Sequence, residues 1–123
     1  MDYKIELIIL PVSDVDRAKA FYVDRVGFHA DVDQRVDEHT RFVQLTPPGS
    51  ACSIAFGQGL TEAEPGSVKG IQVVVADADR ARAELSARGV EVTGVEDQPW
   101  GRFVRFADPD GNAWTLQQMP AWR

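Results

Sequence analysis

An α+β fold made of two strand–helix–three-strand units is the class that this 123-residue sequence predicts. The chief observation is self-similarity. Val12-Ser13-Asp14-Val15-Asp16-Arg17-Ala18-Lys19-Ala20 falls on Val75-Ala76-Asp77-Ala78-Asp79-Arg80-Ala81-Arg82-Ala83 at an offset of 63 residues, and six of the nine positions are identical. Arg41-Phe42-Val43-Gln44-Leu45 later matches Arg102-Phe103-Val104-Arg105-Phe106 at an offset of 61. The second observation is punctuation at the same place in each copy, Pro47-Pro48-Gly49 in one and Asp108-Pro109-Asp110-Gly111 in the other. The copies span 1–57 and 69–119, joined by the polar stretch 58–68. Neither half closes a core alone, so residues 1–123 read as a single domain.

Each element follows from its residues. Ile5 to Val12 and Gly70 to Val75 are rich in Ile, Leu and Val and predict buried strands. Ser13 or Asp14 suits a helix N-cap, and Asp16 suits the positive N-terminal end. Val15, Ala18, Tyr22 and Val26 share one helical face, as do Ala78, Ala81 and Leu85. Gly27 and Gly89 sit where a helix C-terminus takes positive φ. The remaining strands are expected at 28–35, 40–46 and 51–57, and again at 90–95, 102–106 and 112–118.

Composition narrows the function classes. Forty-four per cent hydrophobic and 26% charged residues describe an ordinary globular chain. Thirteen Lys and Arg against 19 Asp and Glu leave a net charge of -6, which repels phosphate backbones and argues against a nucleic-acid partner. The longest apolar run, Leu7 to Val12, is too short to span a bilayer, and no signal peptide is visible, so a cytoplasmic protein without membrane attachment is expected. Cys52 is alone, which excludes a disulfide framework.

Two segments carry a family resemblance. Leu10-Pro11-Val12-Ser13-Asp14-Val15-Asp16-Arg17-Ala18, then Phe21-Tyr22 and Gly27-Phe28, and Arg102 to Phe106 followed by Asp108-Pro109-Asp110-Gly111-Asn112, resemble the vicinal oxygen chelate superfamily. That group holds glyoxalase I, extradiol dioxygenases, and fosfomycin- and bleomycin-resistance proteins. The resemblance implies tandem βαβββ modules forming a curved mixed sheet around a cavity, a homodimer, and a divalent metal held by His and Glu in active members. Carried over position by position, the ligand places fall on Leu7, Ile54, Gly70 and Thr115. Leucine, isoleucine and glycine side chains offer no donor, and a lone threonine hydroxyl is a poor one. The implied metal site is therefore expected to be missing, with no cofactor in its place.

Other residues of the chain carry metal-donor side chains. Glu6, His29 and His39 are the candidates for a relocated metal site, with Asp31, Asp33 or Glu38 beside the histidines. The histidines read more simply as a surface strand end and a solvated hairpin, since nothing fixes their spacing as a ligand motif, and alternation turns Glu6 away from Leu7. The same alternation places Ile9 with Leu7, Gln72 with Gly70, and Gln117 with Thr115, and adds Gln44 opposite Arg105 in the repeat. Trp100 either stacks on a flat ligand or covers the core, and Arg105 either meets a ligand carboxylate or faces solvent. Trp114 is expected outside the cavity, against a helix or a partner.

Two functions remain open from sequence. One is a metal-free binder of a small aromatic or apolar molecule, of the bleomycin-resistance kind. The alternative is a lyase, isomerase or dioxygenase of the same family, either metal-free or using a divalent metal through relocated ligands. No nucleophile–base pair or phosphate loop favours catalysis.

Overall fold

In each copy a short strand passes into a helix through an aspartate. β1 (Leu7–Ile9) leads to Asp14, whose carboxylate accepts from the Arg17 N–H at 3.0 Å and opens α1 (Val15–Ala20). Asp77 does the same for α2 (Ala78–Ala87), accepting from the Arg80 N–H at 3.0 Å. The computed structural model describes residues 1–121.

The first helix ends differently from the second. Residues Phe21–Val26 wind as a π-helix, and the N–H groups of Gly27 and Phe28 both donate to the Tyr22 carbonyl, at 2.9 and 2.8 Å. A π turn accommodates one extra residue. That residue explains why the repeat offset drops from 63 at the helix start to 62 at Gly27 and Gly89. Gly27 adopts φ 93°, the left-handed conformation that ends the helix.

The strands form two four-stranded mixed sheets. The first runs β1, β4 (Ser53–Gln58), β3 (Thr40–Thr46), β2 (His29–Asp37); the second runs β5 (Ile71–Val75), β8 (Ala113–Gln118), β7 (Gly101–Ala107), β6 (Glu96–Gln98). The first pairing in each sheet, β1 with β4 and β5 with β8, is parallel, and the rest are antiparallel. One expected strand moves. Residues 90–95 run beside β7 but bond it only around Thr93, whose N–H donates to the Arg105 carbonyl and whose hydroxyl accepts from the Arg105 N–H. The regular ladder begins at Glu96, after Gly94.

The two sheets do not close around a shared cavity within one chain. Val43, Leu45, Ile54 and Phe56 of the first sheet join Val104, Phe106, Trp114 and Leu116 of the second in one core, with Leu10, Tyr22 and Leu85. The helix-bearing faces thus meet each other. Tyr22 sits at the junction, its ring 5.8 Å from Trp114 and 5.9 Å from Phe56. Trp114 packs inward as its alternation with Thr115 requires.

The turn Asp108–Asn112 locks the halves together. One Asp108 oxygen accepts from the N–H groups of Asp110, Gly111 and Asn112, and the other from the Tyr22 hydroxyl at 2.8 Å and the Asn112 amide at 2.8 Å. Asn112 also donates to the Pro11 carbonyl and accepts from the Val68 N–H. The Trp114 indole donates to the Tyr22 hydroxyl at 2.9 Å. Burial and the Asp108 charge push the Tyr22 phenol far above its usual pKa, so it keeps its proton and donates.

Candidate functional site

Packing the helix faces together leaves the other face of each sheet open. Strand alternation assigns side chains to it. On the first sheet the open face carries Leu7 and Ile9 of β1, Ser53 and Ala55 of β4, and Phe42, Gln44 and Thr46 of β3, since Leu7 pairs with Ser53 and Ile9 with Ala55. On the second it carries Gln72 and Val74 of β5, Thr115 and Gln117 of β8, and Phe103 and Arg105 of β7. Ile9 (40% exposed) and Val74 (66%) give these faces an uncovered apolar surface, and Trp100 (56%) is exposed in the β6–β7 turn.

Ile54 does not belong to this set. It pairs with Ile8 and Leu45, is 3% exposed, and lies in the core. The counterpart of Thr115 in the first copy is Ala55, because Ala55 pairs with Gln44 as Thr115 pairs with Arg105. The cause is one residue of turn length. Leu45 pairs with Ile54 nine positions on, whereas Phe106 pairs with Trp114 eight positions on, so the offset falls from 61 to 60 across the turn. Gly70 stands just before β5, where an added Cβ would meet open space.

The open face of the second sheet is a polar ladder on an aromatic base. Gln72 donates to the Gln117 carbonyl oxygen at 2.6 Å, and Gln117 donates to the Trp100 backbone carbonyl at 2.9 Å. Gln117 therefore fixes the β6–β7 turn that presents Trp100. Arg105 lies over Phe103, 5.9 Å from the ring centroid, and pairs with Glu96 at 2.8 Å. The Arg105 guanidinium, and then the Gln98 amide, hold the Glu96 carboxyl below its ordinary range. Arg105 arrives at this face with its charge already partnered.

The relocated ligand candidates are not brought together. Glu6 is exposed ahead of β1. His29 opens β2 and His39 lies in the turn beyond its end, roughly 30 Å apart at the usual strand rise. His29 lies 3.7 Å from Asp31 with its side chain 79% exposed. Among the described residues no group of three or more His, Cys, Asp or Glu is placed to hold a metal ion. Nor, among them, is any helix long and apolar enough to cross a membrane.

Sequence reasoning missed Ser53, Thr46 and Phe103, and placed Asp31 only beside the histidines. A bulge between Ala30 and Val32 frees Asp31 from the β2–β3 ladder, and its carboxylate accepts from the Thr46 hydroxyl, which lies 2.7 Å from the Ser53 hydroxyl. A cleft of about 530 Å³ also opens beside β5, lined by Phe28, Pro48, Val75, Leu85, Arg88 and Trp114. Of the sequence candidates only Gln72 reaches it.

Comparison with known proteins agrees with this architecture. The profile of the Glyoxalase/Bleomycin resistance protein/Dioxygenase superfamily matches residues 4–116. The chain is 39% identical to TnmS3, an antibiotic binding protein from Streptomyces sp. CB03234, over 97% of this chain and 98% of that one, with a TM-score of 0.88. It is 40% identical to a glyoxalase/bleomycin resistance protein from the same strain, covering 94% and 100% of the two chains at a TM-score of 0.82. A superfamily member from Sphaerobacter thermophilus DSM 20745 is 35% identical over 95% and 98%, at 0.84. With the tandem sheets, the capped helices and the locking turn all in place, this chain belongs to the glyoxalase, bleomycin resistance protein and dioxygenase superfamily.

Proposed function

We propose that this protein binds a small aromatic or apolar molecule of the antibiotic kind, in a cavity that two copies enclose between their open sheet faces. The observation that carries this reading is the lining. Leu7, Ile9 and Ala55 on one sheet, and Val74, Thr115 and Gln117 on the other, are mostly hydrocarbon with a few fixed amides and hydroxyls, the mixture that suits a ligand pocket. The similarity to an antibiotic binding protein along almost the whole chain supports the ligand class.

The residues at the family's metal positions do not fit a divalent cation. Leu7, Ala55 and Gly70 bring no lone pair from their side chains, and Thr115 brings one hydroxyl. Binding then rests on burial of apolar surface, on stacking against Trp100, and on hydrogen bonds from the glutamines. Dimerisation supplies the second wall: the first sheet of one copy facing the second sheet of its partner would cover Ile9 and Val74 together.

Isothermal titration calorimetry against bleomycin, daunorubicin and mitomycin C tests the reading. Saturable binding of at least one is expected, at one molecule per cavity. No saturable binding to any of the three would sink it. Analytical ultracentrifugation should show a dimer, and elemental analysis of protein purified without chelator should show no stoichiometric divalent metal.

A further inference from the structure

We infer that the open face of the first sheet selects ligands that donate a hydrogen bond, because the Ser53, Thr46 and Asp31 side chains form a chain whose protons all run one way. The inference rests on the binding reading and concerns the chemistry of the same cavity. Three adjacent strands supply the three groups: Ser53 from β4, Thr46 from β3 and Asp31 from β2. The polarity follows from counting protons. The Thr46 hydroxyl donates to the Asp31 carboxylate, and a hydroxyl has one proton. In the 2.7 Å contact between Thr46 and Ser53, Thr46 must then accept, so the Ser53 proton is spent as well.

What remains along this line is acceptor capacity only: the lone pairs of Ser53 and the second oxygen of Asp31. The nearest cation-forming group, His29, lies 3.7 Å from that second oxygen and is turned to solvent. A ligand ether or carbonyl oxygen meeting this row would face oxygen against oxygen with no proton between them. A phenolic hydroxyl or an amine would complete the chain. The bulge at Ala30 and Val32 is what releases Asp31 to terminate it, since bulges re-aim the side chain they free. Leu7 pairs with Ser53 in the neighbouring strand, so the row adjoins the apolar lining.

The test compares 2-naphthol with 2-methoxynaphthalene, which have the same flat ring and differ in the donor. Calorimetric titration of the wild-type protein should show about a fivefold preference for 2-naphthol, the scale of one net hydrogen bond. Thr46→Val frees the Ser53 proton to meet an ether oxygen, and Ser53→Ala removes one acceptor of the row; each should reduce the preference toward onefold. Circular dichroism confirms that each variant is folded. Equal wild-type affinities would overturn the inference, and so would a preference that survives both substitutions. If neither naphthalene binds, the inference also falls, while the antibiotic panel decides the binding reading separately.

Discussion

At Asp108 one buried side chain accepts five hydrogen bonds. Asp108→Ala would leave the Tyr22 hydroxyl without its acceptor and the Asp110 and Asn112 N–H groups unmet, while the Gly111 N–H keeps the Asp108 backbone carbonyl, and should cost about 3 kcal/mol in urea denaturation. Tyr22→Phe removes only the hydroxyl between Trp114 and Asp108 and should cost about 1 to 2 kcal/mol. The raised phenol makes a separate prediction: in an alkaline absorbance titration, the Tyr22 signal should stay absent until the protein unfolds. Acid acts on a different residue. Hydrogen bonds from Arg41 and then Lys19 hold the Asp33 carboxyl below its usual range, so its contribution is present at neutral pH and is lost as pH falls below the ordinary carboxylate value. Asp33→Asn should therefore show a shallower fall in melting temperature on acidification than the parent. Trp100 is more than half exposed, so on the proposed binding reading Trp100→Ala should weaken ligand binding about tenfold with little change in melting temperature.

The elements show which parts of this architecture a sequence announces. The first helix cap was legible to within Ser13 or Asp14 because a cap is a local event, decided by a side chain and a backbone three residues away, and the structure chooses Asp14 and repeats it at Asp77. The paired Arg41–Asp16 and Arg102–Asp79 bridges, 2.9 and 2.7 Å, follow from the same repeat, since each ties a β strand to its own helix. Facing was harder. One residue of π turn and one residue of turn length shift the second copy against the first, and a single slip carries a side chain from the open face into the core, as happened at Ile54. Ser53, and the contact of Asp31 with Thr46, were hidden for the related reason that a ladder register and a bulge are properties of two strands together. Nor did composition reveal that the helix ends clasp one another, Arg25 donating to the Gly89 carbonyl and Arg88 to the Val26 carbonyl, both at 3.3 Å. Gly66 tests the fit between elements: it has φ 82°, and an added Cβ would lie 2.0 Å from the Asp110 carbonyl oxygen. Gly66→Ala should cost about 3 kcal/mol in denaturant, from backbone strain and overpacking together.

On the scale of the whole molecule, the sequence predicted two modules but not which faces they would turn to each other, because both faces of each sheet are apolar enough to be buried. The aromatic junction of Tyr22, Phe28, Phe106 and Trp114 decides it. The bonds that hold this junction run between residues 11–22 and 66–114, across space, whereas the exposed stretch Thr61 to Glu64 joins the copies only through covalent chain. A nick there severs nothing that carries load. Two separately made peptides, one ending and the other beginning in that stretch, should recognise each other and reconstitute the parent's circular dichroism spectrum on mixing, which would make this small chain a natural split reporter.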